Sequence, residues 1–274
     1  MFSLPHCFVI SIQNGEGARR FSAVRQLNHL GAGFTFIPGY APDDPEVDAG
    51  YSVALNRASM KRPLSRGEIA AYLSHRRALA AFLETDAEFA IILEDDFGAV
   101  DPERFAEQVL QLAQAPVQWD LVKLFDYGKR KSAHARLVLN SIELVEYRSP
   151  TAGMVAYLVR RSGARKLTAR RFVFRPIDED IKFYWEIDLY VFSAFPNLVS
   201  EISDTLGGSQ IEPERALLRS NRSVYRSIRG FFIEFRRLLI HRWSRRRYGL
   251  KSAMRNYDRD SARRQTAGKL NVPN

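Results

Sequence analysis

Cysteine is nearly absent: the 274-residue sequence has one, Cys7, set inside the apolar run Cys7-Phe-Val-Ile-Ser-Ile12. No intrachain disulfide is possible, and a reducing compartment is the natural setting for such a chain. Long apolar runs are missing as well. Nowhere do about eighteen apolar residues follow one another, so no membrane-spanning helix is expected. The opening Met-Phe-Ser-Leu-Pro-His has no basic n-region and the apolar run behind it is soon broken, so no signal sequence is expected either. Neither a G-x-G-x-x-G nor a G-x-x-x-x-G-K-[ST] pattern occurs, which removes the usual dinucleotide and P-loop fingerprints. Internal repeats and low-complexity linkers are also lacking. Acids are short overall, 31 against 41 Lys and Arg, but the shortage is local. Between Glu214 and Arg264 stand 16 basic and 4 acidic residues, which leaves 25 and 27 for everything else. The body is therefore near neutral, and the excess charge belongs to the C-terminal part.

What is present is 46% apolar residues, enough for one large α/β domain with an appendage or for two small domains, and one acidic cluster in a telling place. Phe89-Ala-Ile-Ile-Leu93 reads as a strand buried on both faces, and it runs straight into Glu94-Asp95-Asp96. The acids then sit at the carboxyl end of a strand, the edge where open α/β sheets bind ligands. Carboxylates so crowded repel one another unless a cation holds them. Period-two alternation would put Glu94 and Asp96 on one side, within reach of a hard divalent ion, and Asp95 on the other. A solvated strand end followed by a turn accounts for the same spacing.

The other elements alternate strand with helix. Phe8–Ile12 is a first strand; after the turn-rich Gln13-Asn-Gly-Glu-Gly17, a helix from Ala18 to about Leu30 carries Arg19 and Arg20 in its first turn. A loop leading into a helix N-terminus can receive phosphates, although an ordinary turn with a solvated arginine pair fits equally. Phe34–Ile37 is a second strand, and Pro38–Ala49 a loop. Ser65 and Glu68 form S-x-x-E, which predicts a capped helix start. Its buried stripe is expected at Ile69, Tyr72, Leu73, Leu79, Ala80 and Leu83, with Ser74 and His75 about two turns in. Asp101-Pro102 starts a helix to about Gln114. Trp119–Phe125, Ser141–Tyr147 and Met154–Val159 are further strands, the last followed by a helix over Ser162–Arg170. The sum is an α/β sheet, mostly parallel in its first half. A second acidic cluster, Asp178-Glu179-Asp180, follows Arg175-Pro-Ile; one of its carboxylates, brought opposite the first cluster, would suit a general base, and a helix cap explains Asp178 as well.

Taken together, Phe8–Ile12 with Arg19-Arg20, Leu64-Ser-Arg-Gly-Glu-Ile-Ala-Ala-Tyr-Leu-Ser-His75, Ile91-Ile-Leu-Glu-Asp-Asp96, Thr151–Tyr157 with Gly163-Ala164, and Pro176-Ile-Asp178 resemble glycosyltransferase family 25 in order and rough spacing. Leu79 departs from the family, which usually has a tryptophan near this point, and the Gln13–Gly17 loop is unusually rich in glycine. The resemblance implies a GT-A-like, nucleotide-sugar-binding sheet flanked by helices over residues 1–212. It further implies a UDP-sugar donor, UDP-galactose first, and inverting transfer to a glycan or lipid-linked saccharide. On that basis Asp96 and Glu94 are the expected ligands of Mn²⁺ or Mg²⁺; Asp178 is the first choice as base, with Asp180 and Glu68 as further catalytic candidates. Ile12, Arg19, Arg20, Ser65, Glu68, His75, Glu94 and Asp95 are expected around the donor.

The remaining 213–274 form a basic helical tail. Val224, Ile228, Phe231, Phe232, Phe235, Leu238 and Leu239 share one helical face, with Arg226, Arg229, Arg236 and Arg237 opposite. Such a helix suits an anionic membrane surface, which would place the protein peripherally on the cytoplasmic face of an inner membrane; a helix packed on the body with a solvated basic face is the alternative. Two other readings compete with a sugar transferase: a catalytically silent relative that serves as a binding or adhesion module, and, less favoured, a nucleic-acid binder acting through the tail.

Overall fold

The computed structural model describes residues 4–13, 17–127, 132–208 and 224–270, with side chains in the last segment from Ile228 to Ala262. The centre of the Gln13–Gly17 loop and the boundary expected near residue 212 lie outside the described residues.

Eight strands make one mixed sheet: β1 (Cys7–Ser11), β2 (Phe34–Pro38), β3 (Phe89–Glu94), β5 (Leu121–Lys123), β6 (Ala133–Val138), β7 (Glu143–Tyr147), β8 (Ala156–Arg160) and β9 (Val191–Phe195). Their order is β2-β1-β3-β8-β5-β9-β7-β6. A small second sheet pairs β4 (Phe97–Ala99) with β10 (Val199–Glu201), antiparallel. β1 runs parallel to β2 and β3, so Ile10 lies beside Glu94 and the chain leaves both strands at one edge. β8 is antiparallel to both β3 and β5, so the residues entering β8 arrive at that same edge. The parallel first part matches the expectation; the antiparallel β8, which brings Gly153–Val155 to the acids, was not foreseen.

β3 is a strand because four successive residues, Ala90 to Leu93, are buried on both faces, at 0–1% exposure. Burying each large aliphatic side chain there contributes roughly 1.5–3 kcal/mol. Helix α4 (Arg66–Leu83) packs on β1, β2 and β3 and on α6 (Arg161–Thr168). Its start is the expected capping box: the Ser65 hydroxyl accepts from the Glu68 N–H and the Glu68 carboxylate accepts from the Ser65 N–H. Phe82 and Ala78 are buried in its stripe; Ala80 is exposed instead, because the helix turns that face away from the sheet. Helices α1 (Ala18–His29) and α5 (Pro102–Ala113) appear as expected. Short helices α2 (Pro45–Ala49) and α3 (Val53–Ser59) stand in and after the stretch read as loop, and α7 (Ile177–Asp180) leads into a 3₁₀ turn, Ile181–Glu186. Gly163 explains itself here. A Cβ on it would meet the Asp120 carbonyl oxygen at 2.4 Å, so α6 can lie against the entry to β5 only with glycine at that point.

The tail forms α8 (Val224–Tyr248) and α9 (Leu250–Leu270). Both are joined to the body: the Glu146 carboxylate accepts from the Leu250 N–H at 2.8 Å, and Tyr248, Leu250 and Ala253 are buried.

Candidate active site

At the carboxyl edge of β1 and β3 lies a cavity of about 450 Å³, lined by Ile12, Arg19, Glu68, His75, Glu94, Asp95, Asp96 and Asp178 among others. Thus most of the residues singled out in the sequence meet at one place. Arg20, Ser65 and Asp180 are not among its lining residues. The Arg20 guanidinium lies over the Phe36 ring, 4.0 Å from its centroid, and Ser65 is consumed by the helix cap. Asp180 is corrected from candidate base to structural anchor. It is 2% exposed, and it accepts from the Tyr72 hydroxyl at 2.9 Å, from Arg170 at 2.7 Å and from Arg175 at 3.2 Å. Buried, held by two arginines and a tyrosine and outside the cavity lining, it is not presented to an acceptor hydroxyl.

β3 ends at Glu94, so the strict alternation stops there and Asp95 and Asp96 both turn to the same partner. Arg19 Nη1 donates to Asp95 Oδ1 at 3.2 Å and to Asp96 Oδ2 at 2.9 Å, while its Nη2 donates to the Gly208 carbonyl at 2.7 Å. One guanidinium does not satisfy the pair. Asp95 Oδ2 and Asp96 Oδ1 are buried and have no hydrogen-bond partner among the described residues. Burial above all, then the neighbouring Glu94 carboxylate, raise the Asp96 carboxyl to about 7; Arg19 opposes the rise, and Asp95 and Glu201 add to it.

Glu94 itself is oriented from below. Its carboxylate meets His75 Nε2 at 3.2 Å, and His75 Nδ1 meets the Tyr157 hydroxyl at 3.2 Å. His75 and Tyr157 are buried, so the His75 position two turns into α4 is a strut under the acid cluster. Glu68 combines two roles: besides closing the cap, its carboxylate accepts both Arg62 guanidinium nitrogens, at 2.7 and 2.6 Å, while lining the cavity. On the other wall, the Gly153 N–H lies 3.4 Å from Asp178 Oδ2. Gly153 adopts φ +90°, and a Cβ there would come within 2.9 Å of the Tyr127 ring. Lys123, 1% exposed at the end of β5, donates to Asp126, to Thr151 Oγ1 at 2.6 Å and to the Ala152 carbonyl at 2.8 Å, and so fixes the segment that carries Gly153.

Glu201, Asp204 and Tyr127 also line the cavity and were missed in the sequence. Tyr127 follows the strand Leu121–Lys123 at the same edge, a position the strand-end rule would have flagged. Glu201 and Asp204 carry no motif. Burial and Glu201 raise the Tyr127 hydroxyl, with Glu94 and Asp178 acting in the same direction.

Seven carboxylates thus face the cavity, with Arg19 and His75 as the basic side chains among the lining residues. An anionic ligand entering such a space meets an excess of negative charge, which a cation would offset. Among the described residues no three of His, Cys, Asp and Glu converge as a ready-made metal cage. The donor set nevertheless fits a hard divalent ion, since two buried carboxylate oxygens lack partners and Glu94 is half-open. Mg²⁺-like ions are often held by one or two carboxylates with phosphate oxygens completing the shell, which requires no all-protein cage.

A family model described as glycosyltransferase family 25 (LPS biosynthesis protein) matches residues 4–180. The chain belongs to glycosyltransferase family 25. This family 25 chain is 29% identical over 190 residues to a "Glycosyltransferase 25 family member" of Aedes aegypti, covering 65% of this chain and 30% of the relative. It is 27% identical over 159 residues to human "Procollagen galactosyltransferase 2", covering 50% and 25%. It is also 25% identical over 233 residues to a mouse "Inactive glycosyltransferase 25 family member 3", covering 74% and 36%. The chain therefore spans only about a quarter to a third of the length of these curated relatives. Among solved structures, "Crystal Structure of A197 from STIV" matches at 15% identity and TM-score 0.37, covering 69% of this chain and 80% of that one. At that level the match carries no weight.

Proposed function

We propose that this family 25 member is a GT-A-like, metal-dependent, inverting galactosyltransferase that moves galactose from UDP-galactose to a hydroxyl of a cell-surface glycan such as lipopolysaccharide. The observation that carries the reading is the pair of partnerless buried oxygens on Asp95 and Asp96, in an acidic cavity at the carboxyl edge of the sheet. Asp96 and Glu94 would hold Mn²⁺ or Mg²⁺, which when bound supplies neutralisation of the departing diphosphate. Arg19, released from the two aspartates, would then be available to pair with the diphosphate. The acceptor hydroxyl oxygen attacks the anomeric carbon from the face opposite the diphosphate. As that bond forms, the carbon–oxygen bond to the diphosphate breaks, and Asp178 accepts the hydroxyl proton. Single displacement inverts the anomeric centre. Glu68 and His75 keep the donor side rigid through Arg62 and Tyr157.

The decisive test is thermal stabilisation and turnover with a series of nucleotide sugars, with and without Mn²⁺. Stabilisation by UDP-galactose that requires Mn²⁺, and release of UDP in the presence of a glycan acceptor, are expected. The absence of both with every donor would end the proposal. A second reading has its own support: Arg19 already occupies the acid pair, as a silent relative's built-in cation would, and some relatives bear the name inactive. Nucleotide binding without turnover would favour it.

A further inference from the structure

Helix α8 is amphipathic the wrong way round for a helix that belongs only to the body. Among its described side chains, those it buries are polar or polar-tipped: Arg237, His241 and Tyr248. Arg237 Nη1 donates to Ser149 Oγ at 2.8 Å, His241 Nδ1 meets the Tyr184 hydroxyl at 2.9 Å, and the Tyr248 hydroxyl donates to Asp188. Arg237 therefore faces the body and not, as the sequence pattern suggested, solvent. Among the described side chains, Ile233 and Ile240 are half-buried, and the other apolar ones point away. Ile228, Phe231, Phe232, Phe235, Leu238 and Leu239, followed by Trp243, are all between 47% and 71% exposed. At about 100° per residue they fill an arc of roughly 140° along roughly 22 Å of helix. Apolar surface of that extent, continuous and outward, marks a contact with something else.

The charges say what. α8 contains eight arginines and one acid, Glu234. Glu234 pairs with Arg237. Helical spacing sets Arg229, Arg236 and Arg247 along one border of the apolar arc, and Arg242 and Arg246 within it near its end, where the Arg246 guanidinium stands 5.1 Å from the Trp243 ring centroid. A second copy laid face to face would set arginine against arginine with no acid between them. An anionic lipid surface answers both parts: acyl chains for the rings, phosphates for the guanidinium fringe. We infer that α8 lies in the interface of an anionic bilayer, its Phe231–Trp243 face inserted among the headgroups, while Arg237, His241 and Tyr248 hold the body above it. No helix among the described residues is long and apolar enough to cross a membrane, so the attachment is peripheral.

The position of α8 gives the contact a use, and this part rests on the proposed function. A Cβ on Gly230 would lie 3.3 Å from the Lys61 side chain. Lys61 adjoins Arg62, which grips Glu68 in the cavity wall, and α8 also packs on the 3₁₀ turn that follows Asp178. A helix at the headgroups brings the cavity to the height of a lipid-borne acceptor.

The test is flotation of the intact chain with phosphatidylcholine vesicles, with and without phosphatidylglycerol. Binding that needs phosphatidylglycerol and weakens with salt is expected. Phe231→Ser/Phe235→Ser should weaken it at least about a hundredfold, since each fully buried phenylalanine is worth about tenfold or more. Arg236→Glu/Arg242→Glu should remove the preference for the anionic lipid. All four residues are exposed or face solvent, so the melting temperature and any Mn²⁺-dependent stabilisation by UDP-galactose should stay unchanged. Trp243 fluorescence should shift to the blue with phosphatidylglycerol vesicles and not with phosphatidylcholine alone. An intact chain that ignores anionic vesicles overturns the inference, as does binding indifferent to the phenylalanine pair. So does a vesicle-free dimer that the same pair dissociates. A chain that binds vesicles but no nucleotide sugar would leave this inference standing and remove the proposed function.

Discussion

Replacing Asp96 by asparagine should make the ligand-free protein more stable above neutral pH while it destroys metal-dependent nucleotide binding. Two effects oppose each other in this substitution. The charge lost is one that Arg19 holds at 2.9 Å, and breaking a buried ion pair ordinarily costs several kcal/mol. The same charge is penalised by burial and by Glu94, Asp95 and Glu201, and the rise of the carboxyl from 3.8 to about 7 says that the penalties exceed what Arg19 returns. That gap corresponds to at most about 4 kcal/mol, and because Arg19 keeps Asp95 as a partner we expect a net gain of about 1–2 kcal/mol. The sign follows from proton counting. Between about pH 4 and pH 7 the folded chain keeps a proton on Asp96 that the unfolded chain has released, so stability from this group falls as pH rises through that window. Thermal unfolding from pH 5 to 8 should show a falling melting temperature for the parent and a flatter one for Asp96→Asn. By pH 8 the variant should melt about 4 °C higher, at roughly 2–4 °C per kcal/mol for a chain of this size. Other groups, such as the raised Glu146, titrate in both proteins and cancel in the difference. An asparagine variant less stable than its parent at pH 8 would refute the claim that repulsion and burial outweigh Arg19.

Arg19→Ala should do the reverse, destabilising the ligand-free protein by about 3–5 kcal/mol because two buried carboxylates lose their counter-ion; added Mn²⁺ should restore part of the loss in chemical denaturation. Asp178→Asn should lower transfer by about 10²–10⁴-fold yet leave UDP-galactose binding intact, as read by turnover beside calorimetric titration. Gly163→Ala should reduce stability by roughly 2 kcal/mol or more, since its methyl would press on the Asp120 carbonyl backbone; unchanged denaturation midpoints would show that α6 can move aside. Ser65→Ala should cost about 1 kcal/mol in the same assay through loss of the α4 cap.

Local chemistry made some of this architecture readable. Ser65 and Glu68 announce a helix start because the cap needs only residues three apart, and Ala90–Leu93 announce a buried strand because nothing in them tolerates water. The acid cluster could be placed at a sheet edge on the same grounds. What the sequence did not disclose are the facts that depend on distant segments. Asp178 and Asp180 are two residues apart and look alike, and only the arrival of Tyr72, Arg170 and Arg175 removes one of them from consideration. β6 went unnoticed because an edge strand with alternating half-exposed residues has no apolar run to reveal it. Glu201 belongs to a three-residue strand whose pairing with β4 decides where it points. The tail's spacing groups the exposed residues from Ile228 to Leu239 on one arc, Val224 lying outside the described side chains, but gives no hint that Arg237 and His241 turn inward, since their partners lie about ninety residues upstream.

The tie between the tail and the far side of the sheet also bears on how the chain acquires its structure during synthesis. Strands β1, β2 and β3 and helix α4, which frame the cavity, are all complete by residue 94 and can collapse on one another while the rest is still emerging. The opposite margin waits. Glu146, Arg148, Ser149, Tyr184 and Asp188 receive their partners from residues 237–250. Until those residues leave the ribosome, Glu146, Arg148, Ser149, Tyr184 and Asp188 lack the partners that the tail brings them. A ribosome that pauses before residue 237 would therefore hold a nascent protein with an early-formed cavity half and an unfinished flank, completed in the same step that presents the phenylalanines of α8 outward.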